Sequence, residues 1–311
     1  MGEASLNEAL VAQRIEPRTP KAKMEVQFFP GAPYNFKMKK KFKKVEWDKA
    51  AEWWNNEVGD IGAWHQYIDI DPAIFKILGN IRNKIILEIG CGNGYFSRLL
   101  AKKGARVMAI DISKKLLDFA IIKEKEKSLN INYFVRDAAK LYGIKSKYFD
   151  IAIANMSLMD IADARNTIKE VSRVLKQKGH FVFSITHPVF HDEFHQQWTI
   201  IREDKKKYFA RAISRYLSTT AEKHTLWLSG VKATHYHRSL ETYSRYLRDA
   251  NLLINGLWEI ATKKQIVKAR KEDGNTKLRR SRYSTLAEKR MKEFAKQEIP
   301  MFLIINALKY K

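Results

Sequence analysis

Glu88-Ile-Gly-Cys-Gly-Asn-Gly94 stands directly after a short apolar run, Lys84–Ile89 (KIILEI), and directly before a stretch with helical spacing, Tyr95–Lys103. An apolar run of that length suits a strand buried on both faces. Gly90, Gly92 and Gly94 put no side chains on the turn, so the backbone can approach a ligand beside the positive end of a helix. The carboxyl end of a central strand is where open α/β sheets bind nucleotides. The dinucleotide fingerprint G-x-G-x-x-G, counted from Gly90 and Gly92, needs glycine at position 95, where the chain has Tyr95. A loop shaped for a pyrophosphate is therefore not written here.

Outward from the loop, strand and helix patterns alternate. Arg106–Ile110 reads as a second strand, and Ser113 as the N-cap of a helix reaching about Lys127. Ile131–Val135 and Phe149–Ala154 read as the third and fourth strands, Ala164–Lys176 as a helix and His180–Ile185 as the fifth strand. Such alternation predicts βαβ units and a parallel sheet. After Pro188 it stops for about fifty residues, resuming with a helix at Ser239–Ala250 and strands at Leu252–Ala261 and Met301–Leu308.

Two acidic residues follow the loop. Asp111 ends the second strand, where a carboxylate can accept both hydrogen bonds of a ribose diol. Asp137 stands just after the third strand. An acidic residue, G-x-G-x-G, Asp111, Asp137 and Phe149-Asp-Ile-Ala-Ile-Ala-Asn155, in this order, resemble the motifs of class I S-adenosylmethionine-dependent methyltransferases. Val171–Phe183 resembles the helix and strand that follow, and the likeness covers about residues 46–261. It is nearest to the small-molecule type related to the quinone-biosynthesis methyltransferases. The resemblance implies an α/β, Rossmann-like fold: a seven-stranded, mostly parallel sheet with helices on both faces and an antiparallel last strand. It implies S-adenosyl-L-methionine as cofactor, held by Trp64, Glu88, Gly90, Cys91, Gly92, Gly94, Asp111, Ile112, Asp137, Ala138 and Asn155. In the family the position of Asp137 meets the adenine amino group, and the segment of Trp64 and His65 covers the cofactor.

The expected organisation is an N-terminal extension over 1–45, a helical cap over 46–82 and a methyltransferase domain over 83–311. Insertions are expected at about 188–238, over the acceptor side, and at 262–298. The extension holds four prolines between Pro17 and Pro33, then six lysines in eight positions from Lys37 to Lys44. In all, 58 Lys+Arg face 34 Asp+Glu, a formal net charge of +24 that attracts polyanions. That charge carries an alternative function, an RNA methyltransferase. In it residues 37–44 and 263–290 track phosphates while Phe42 and Tyr283 stack bases. The leading expectation is a small-molecule acceptor.

Exclusions narrow the chemistry. A lone cysteine, Cys91, excludes a disulfide framework and a multi-cysteine zinc site. It is also misplaced as the nucleophile of cytosine-C5 methylation. Asn155-Met-Ser-Leu158 lacks the Pro-Pro-aromatic tetrad of exocyclic-amine nucleic-acid methyltransferases. No apolar run nears the roughly 20 residues that span a bilayer, and the N-terminus lacks the order of a secretory signal. A cytoplasmic protein is expected. Histidine is the natural base near neutral pH. His187, after the fifth strand, and His237, before the helix at Ser239, are the candidates. His191 and His195 share helical spacing without an H-E-x-x-H motif, and no metal site is expected. A scaffold that only binds a partner would have no need of the glycine loop together with Asp111 and Asp137.

Overall fold

The computed structural model describes residues 46–190, 196–203, 206–226, 230–261 and 298–310. The expected extension, the lysine run, His191, His195 and nearly all of the 262–298 segment lie outside the described residues. Chain order is α1 (Glu46–Val58), a π-helical turn (Gln66–Ile70), α2 (Asp71–Leu78), β1 (Ile85–Ile89) and α3 (Tyr95–Lys102). Next come β2 (Arg106–Asp111), α4 (Lys114–Glu126), β3 (Asn132–Val135), β4 (Phe149–Asn155), a 3-10 turn (Leu158–Asp160), α5 (Ala164–Val174) and β5 (Leu175–Thr186). Then follow β6 (Gln196–Glu203), β7 (Lys206–Ile213), β8 (Thr220–Thr225), β9 (Lys232–His237), α6 (Leu240–Asp249), β10 (Leu252–Ile260) and β11 (Phe302–Lys309).

Seven strands make one sheet in the order β10-β11-β5-β4-β1-β2-β3. The pairs among β1 to β5 are parallel, and β11 runs antiparallel to both β5 and β10. Alternate residues feed two cores, as the period of a strand requires. Leu87, Ile89, Met108 and Ile110 pack with Ile168 and Val171 of α5 and with Tyr243 and Leu247 of α6. Ile86, Val107 and Ala109 pack on the other face with Ile74 of α2, Phe96 and Leu100 of α3 and Leu117 of α4. Helices therefore cover both faces. The Ser113 hydroxyl accepts from the Leu116 amide as the N-cap of α4, and Ser239 does the same for α6 through Thr242.

Two stretches differ from the sequence reading. The helix expected to Lys176 stops at Val174, because Leu175 turns extended (ψ 141°) and starts β5 early. The register slips between Phe149 and Ile151, and Lys178 takes a left-handed φ of 60° to let the strand resume. Where alternation ceases after Pro188, the chain forms two antiparallel hairpins, β6–β7 and β8–β9, separate from the main sheet. Among the described residues no helix is long and apolar enough to cross a membrane.

Candidate cofactor pocket

The sheet's order reverses between β1 and β4, which leaves a crevice at their carboxyl ends. A cavity of about 430 Å³ opens there, within the range that holds a drug-sized ligand. Its floor is Gly90, Gly92, Asp111, Ile112, Asp137 and Ala138, with Met156 and Ser157 from the loop after β4. Its roof is Trp47 and Trp54 of α1 and Thr234 and Tyr236 of β9.

The glycines sit where the loop leaves no alternative. Gly90 has φ 67°, and a Cβ there would lie 2.5 Å from Ser157 Cβ, whose hydroxyl is fixed by donating to Ile89 O at 2.7 Å. At Gly92 (φ 56°) a Cβ would meet the Trp54 indole nitrogen at 3.2 Å. The loop is anchored on β2, since the Gly90 and Cys91 amides donate to Ile110 O at 2.8 and 3.0 Å.

Asp111 is buried at the end of β2, and each of its carboxylate oxygens has one fixed donor. The Gly92 amide donates to Oδ2 and the Ser113 amide to Oδ1, both at 2.8 Å. Each oxygen keeps acceptor capacity on the pocket side. Burial raises this carboxyl to about 6, against the pull of those two amides. Asp137 lies on the same floor but is more open, with Lys140 at 3.7 Å.

Five expected cofactor residues stand behind the pocket rather than in its lining. Glu88 faces α3, where the Ser97 hydroxyl donates to it, and burial raises it to about 8, so it holds a proton at neutral pH. Cys91 is buried, and burial raises its thiol well above the usual range. Gly94 backs onto Tyr133, whose hydroxyl would lie 2.6 Å from an added Cβ. Asn155 is used up in a buried network. It donates to Asp71 Oδ1 at 2.8 Å and Tyr95 Oη at 3.0 Å, and accepts from Ser184 at 2.7 Å. Trp64 packs edge-on against His65, which stacks on Phe302 at 5.2 Å.

Neither expected base reaches the lining. The Val189 amide donates to His187 Nδ1 at 3.2 Å, so Nε2 carries the hydrogen and meets Glu259 Oε1 at 3.0 Å. Burial lowers the pKa of His187, and Glu259 opposes the shift. His237 is buried, and its Nε2 donates to Tyr216 O at 2.8 Å. Both rings are committed to holding strands together.

The sequence reading named none of the side chains that tie the roof together and gave no role to the loop after β4. Asn93 fastens α1 over the loop by donating to Asn55 Oδ1 at 3.1 Å and Gly59 O at 2.9 Å. Asp48 accepts from the Ser113 hydroxyl at 2.7 Å. Glu46 accepts from the Thr234 amide and hydroxyl at 2.8 and 2.9 Å, tying α1 to β9. Met156 is a non-glycine residue at φ 54° in the pocket wall, a conformation that collects at functional sites. Trp47, Trp53 and Trp54, all in α1, are an aromatic signal of the roof in the sequence.

Known proteins agree with this geometry. The family described as "Methyltransferase domain" matches residues 87–183. A ubiquinone biosynthesis O-methyltransferase from Coxiella burnetii is 32% identical over 140 residues, covering 44% of this chain and 58% of that protein. A malonyl-[acyl-carrier protein] O-methyltransferase from Hamiltonella defensa is 30% identical, covering 48% of this chain and 54% of its own length. The chain thus spans a little over half the length of these curated relatives. The crystal structure of an S-adenosylmethionine-dependent methyltransferase from Mesorhizobium loti superposes with a TM-score of 0.58 at 27% identity, covering 78% of this chain and 97% of that one. With the strand order and the glycine loop at its switch point, these likenesses identify the chain as carrying a class I S-adenosylmethionine-dependent methyltransferase domain.

Proposed function

We propose that the protein methylates a small-molecule acceptor, with S-adenosylmethionine as methyl donor and oxygen as the accepting atom. The observation that carries the donor is Asp111, a buried carboxylate held by the Gly92 and Ser113 amides and facing the cavity. Asp111 would accept the ribose hydroxyls, while Ile112, Asp137 and Ala138 would border the adenine. Gly90 and Gly92 admit the donor close to the backbone. The donor fits these residues, because a Cβ at either glycine would narrow the cavity. The donor supplies an activated methyl group; the chain supplies alignment and exclusion of water. Glu88, Cys91, Gly94 and Asn155 shape the loop and its support, and His187 and His237 hold strands.

The acceptor side is the space under Thr234, Tyr236 and Asp160, beyond the loop after β4. The small-molecule, oxygen-accepting reading rests on the two relatives named as O-methyltransferases. The RNA reading rested on segments outside the described residues, and the comparisons offer it nothing. A cytoplasmic setting belongs to this proposal, since a single buried thiol needs no oxidising compartment. Calorimetry tests the donor: S-adenosylhomocysteine should bind at roughly micromolar Kd and NADH should not. Incubating a lysate with isotopically labelled donor tests the acceptor. Label in low-molecular-weight products supports the reading, and label confined to RNA overturns it.

A further inference from the structure

We infer that Asp160, His224 and His235 form a site for one divalent first-row transition metal in the wall of the cofactor pocket. One ligand atom from each lies within 4.8 Å of the other two. His235 Nδ1 is already 3.4 Å from Asp160 Oδ1, and the two imidazoles stand 5.7 Å apart at 79°. A metal at about 2.0–2.2 Å from each donor needs ligand atoms roughly 3 Å apart. The widest of these separations must therefore close by up to about 2 Å on binding.

The register of β8 and β9 sets up the site. Glu222 pairs with His235, and His224 with Ala233, so the two histidines are diagonal neighbours on one face of the hairpin. That face turns inward, where Ala233 and Leu226 pack with Trp47, Trp53 and Ala50. Asp160 arrives from the 3-10 turn after β4, an element far away in sequence. All three are half-buried, shielded from bulk water yet reachable by an ion.

Two imidazoles and one carboxylate select zinc, cobalt, iron or manganese over calcium or magnesium, and leave coordination positions open. Asp160 also lines the cavity shared with Asp111 and Asp137, so the site adjoins the acceptor side. A Lewis acid there would hold an oxygen-bearing acceptor and lower its pKa. That use rests on the proposed function; the binding of the metal does not.

The test is cobalt(II) titration of the full chain after treatment with a chelator, followed by visible absorption. A single equivalent taken up by the wild type, weakened roughly 100-fold or more in His224→Ala and in His235→Ala, supports the site. S-adenosylhomocysteine binding by His224→Ala reports whether that variant still folds. Pulsed EPR of the copper(II)-loaded wild type reads the ligands without any substitution, and two coordinated imidazoles are expected. The inference is overturned by no uptake, by uptake untouched in both variants, by fewer than two imidazoles, or by uptake abolished in a His191→Ala/His195→Ala double variant. Failure of the wild type to bind S-adenosylhomocysteine would sink the proposed function and leave the cobalt result readable.

Discussion

The floor and the roof of the pocket are built from different kinds of information. On the floor, the Gly92 amide and the Asp111 carboxylate that meet are 19 residues apart, joined by one helix and one strand. In the roof, Glu46 and Thr234 are 188 residues apart, and their elements share no sheet. Floor contacts follow from where strands end, so spacing along the chain sets them. Roof contacts depend on which side chains happen to face each other when a hairpin meets a helix.

The largest difference should appear on substituting glycines. Gly90→Ala forces a left-handed residue, roughly 1–2 kcal/mol, and drives its Cβ to 2.5 Å from a Ser157 that is itself fixed. Overpacking of that kind adds roughly 1–3 kcal/mol. Gly59, at the end of α1, has φ 55° but open space where a Cβ would go, so Gly59→Ala should show the conformational cost alone. Urea unfolding should place Gly90→Ala about 3 kcal/mol below wild type and Gly59→Ala about 1 kcal/mol below. Equal losses would mean that the floor is no tighter than the roof's edge.

The floor was legible because its constraints repeat the period of strands and turns. The KIILEI run, the glycine positions, Asp111 and the Ser113 cap each depend on neighbours along the chain, and each is where spacing put it. Glu88 and Asn155 carried the right motif positions, but strand alternation points Glu88 toward Ser97 of α3, and Asn155 is drawn into the Asp71–Tyr95–Ser184 network. His187 and His237 were chosen for their chemistry near strand ends. Which way a residue faces after a strand ends has no period, and both turned toward backbone or carboxylate partners in the scaffold. Asp160 and His235 needed the hairpin's docking to become neighbours. Met156 carried no signal at all, since nothing about methionine announces a positive φ.

A second, smaller effect separates Asp111 from Asp137. Asp111→Asn sets an NH₂ donor against one of the two amides that donate to the Asp111 carboxylate, and it removes a charged acceptor worth about 1.5–3 kcal/mol per hydrogen bond. Affinity for S-adenosylhomocysteine should fall at least about tenfold, whereas the more open Asp137→Asn should cost only a few-fold. The pH dependence carries opposite signs for folding and binding. Burial holds Asp111 at about 6 in the folded chain against 3.8 as the ordinary value. The folded state therefore binds more protons between those values, and stability falls as pH rises through that window. Asp71, also at about 6, and Glu88, at about 8, act in the same direction, so the decline continues toward pH 8. Ligand affinity should instead rise through pH 6 as Asp111 ionises, and Asp111→Asn should flatten that rise. An affinity profile unchanged by the substitution would remove Asp111 from the ribose.

The smallest expected effect tests whether the roof is a separate unit. Glu46 holds β9 through the Thr234 amide and hydroxyl, and Lys223 lies 3.1 Å from its other oxygen. The Lys223 pair is largely exposed, so its share is at most about 1 kcal/mol, and the two Thr234 bonds supply most of the hold. Glu46→Gln keeps an acceptor oxygen and removes the charge. It should therefore lower global stability by less than about 1 kcal/mol, because no residue of the sheet loses a partner. The hairpin should nonetheless open more often, and amide exchange over residues 220–225 and 232–237 should quicken by several-fold while β1 and β4 stay protected. Affinity for the donor should drop only slightly, since the floor residues Asp111, Asp137 and Gly92 are untouched. Faster exchange in β1 along with the hairpin would show one cooperative unit. In that case the roof is not a lid on a finished pocket but part of what makes the floor stable.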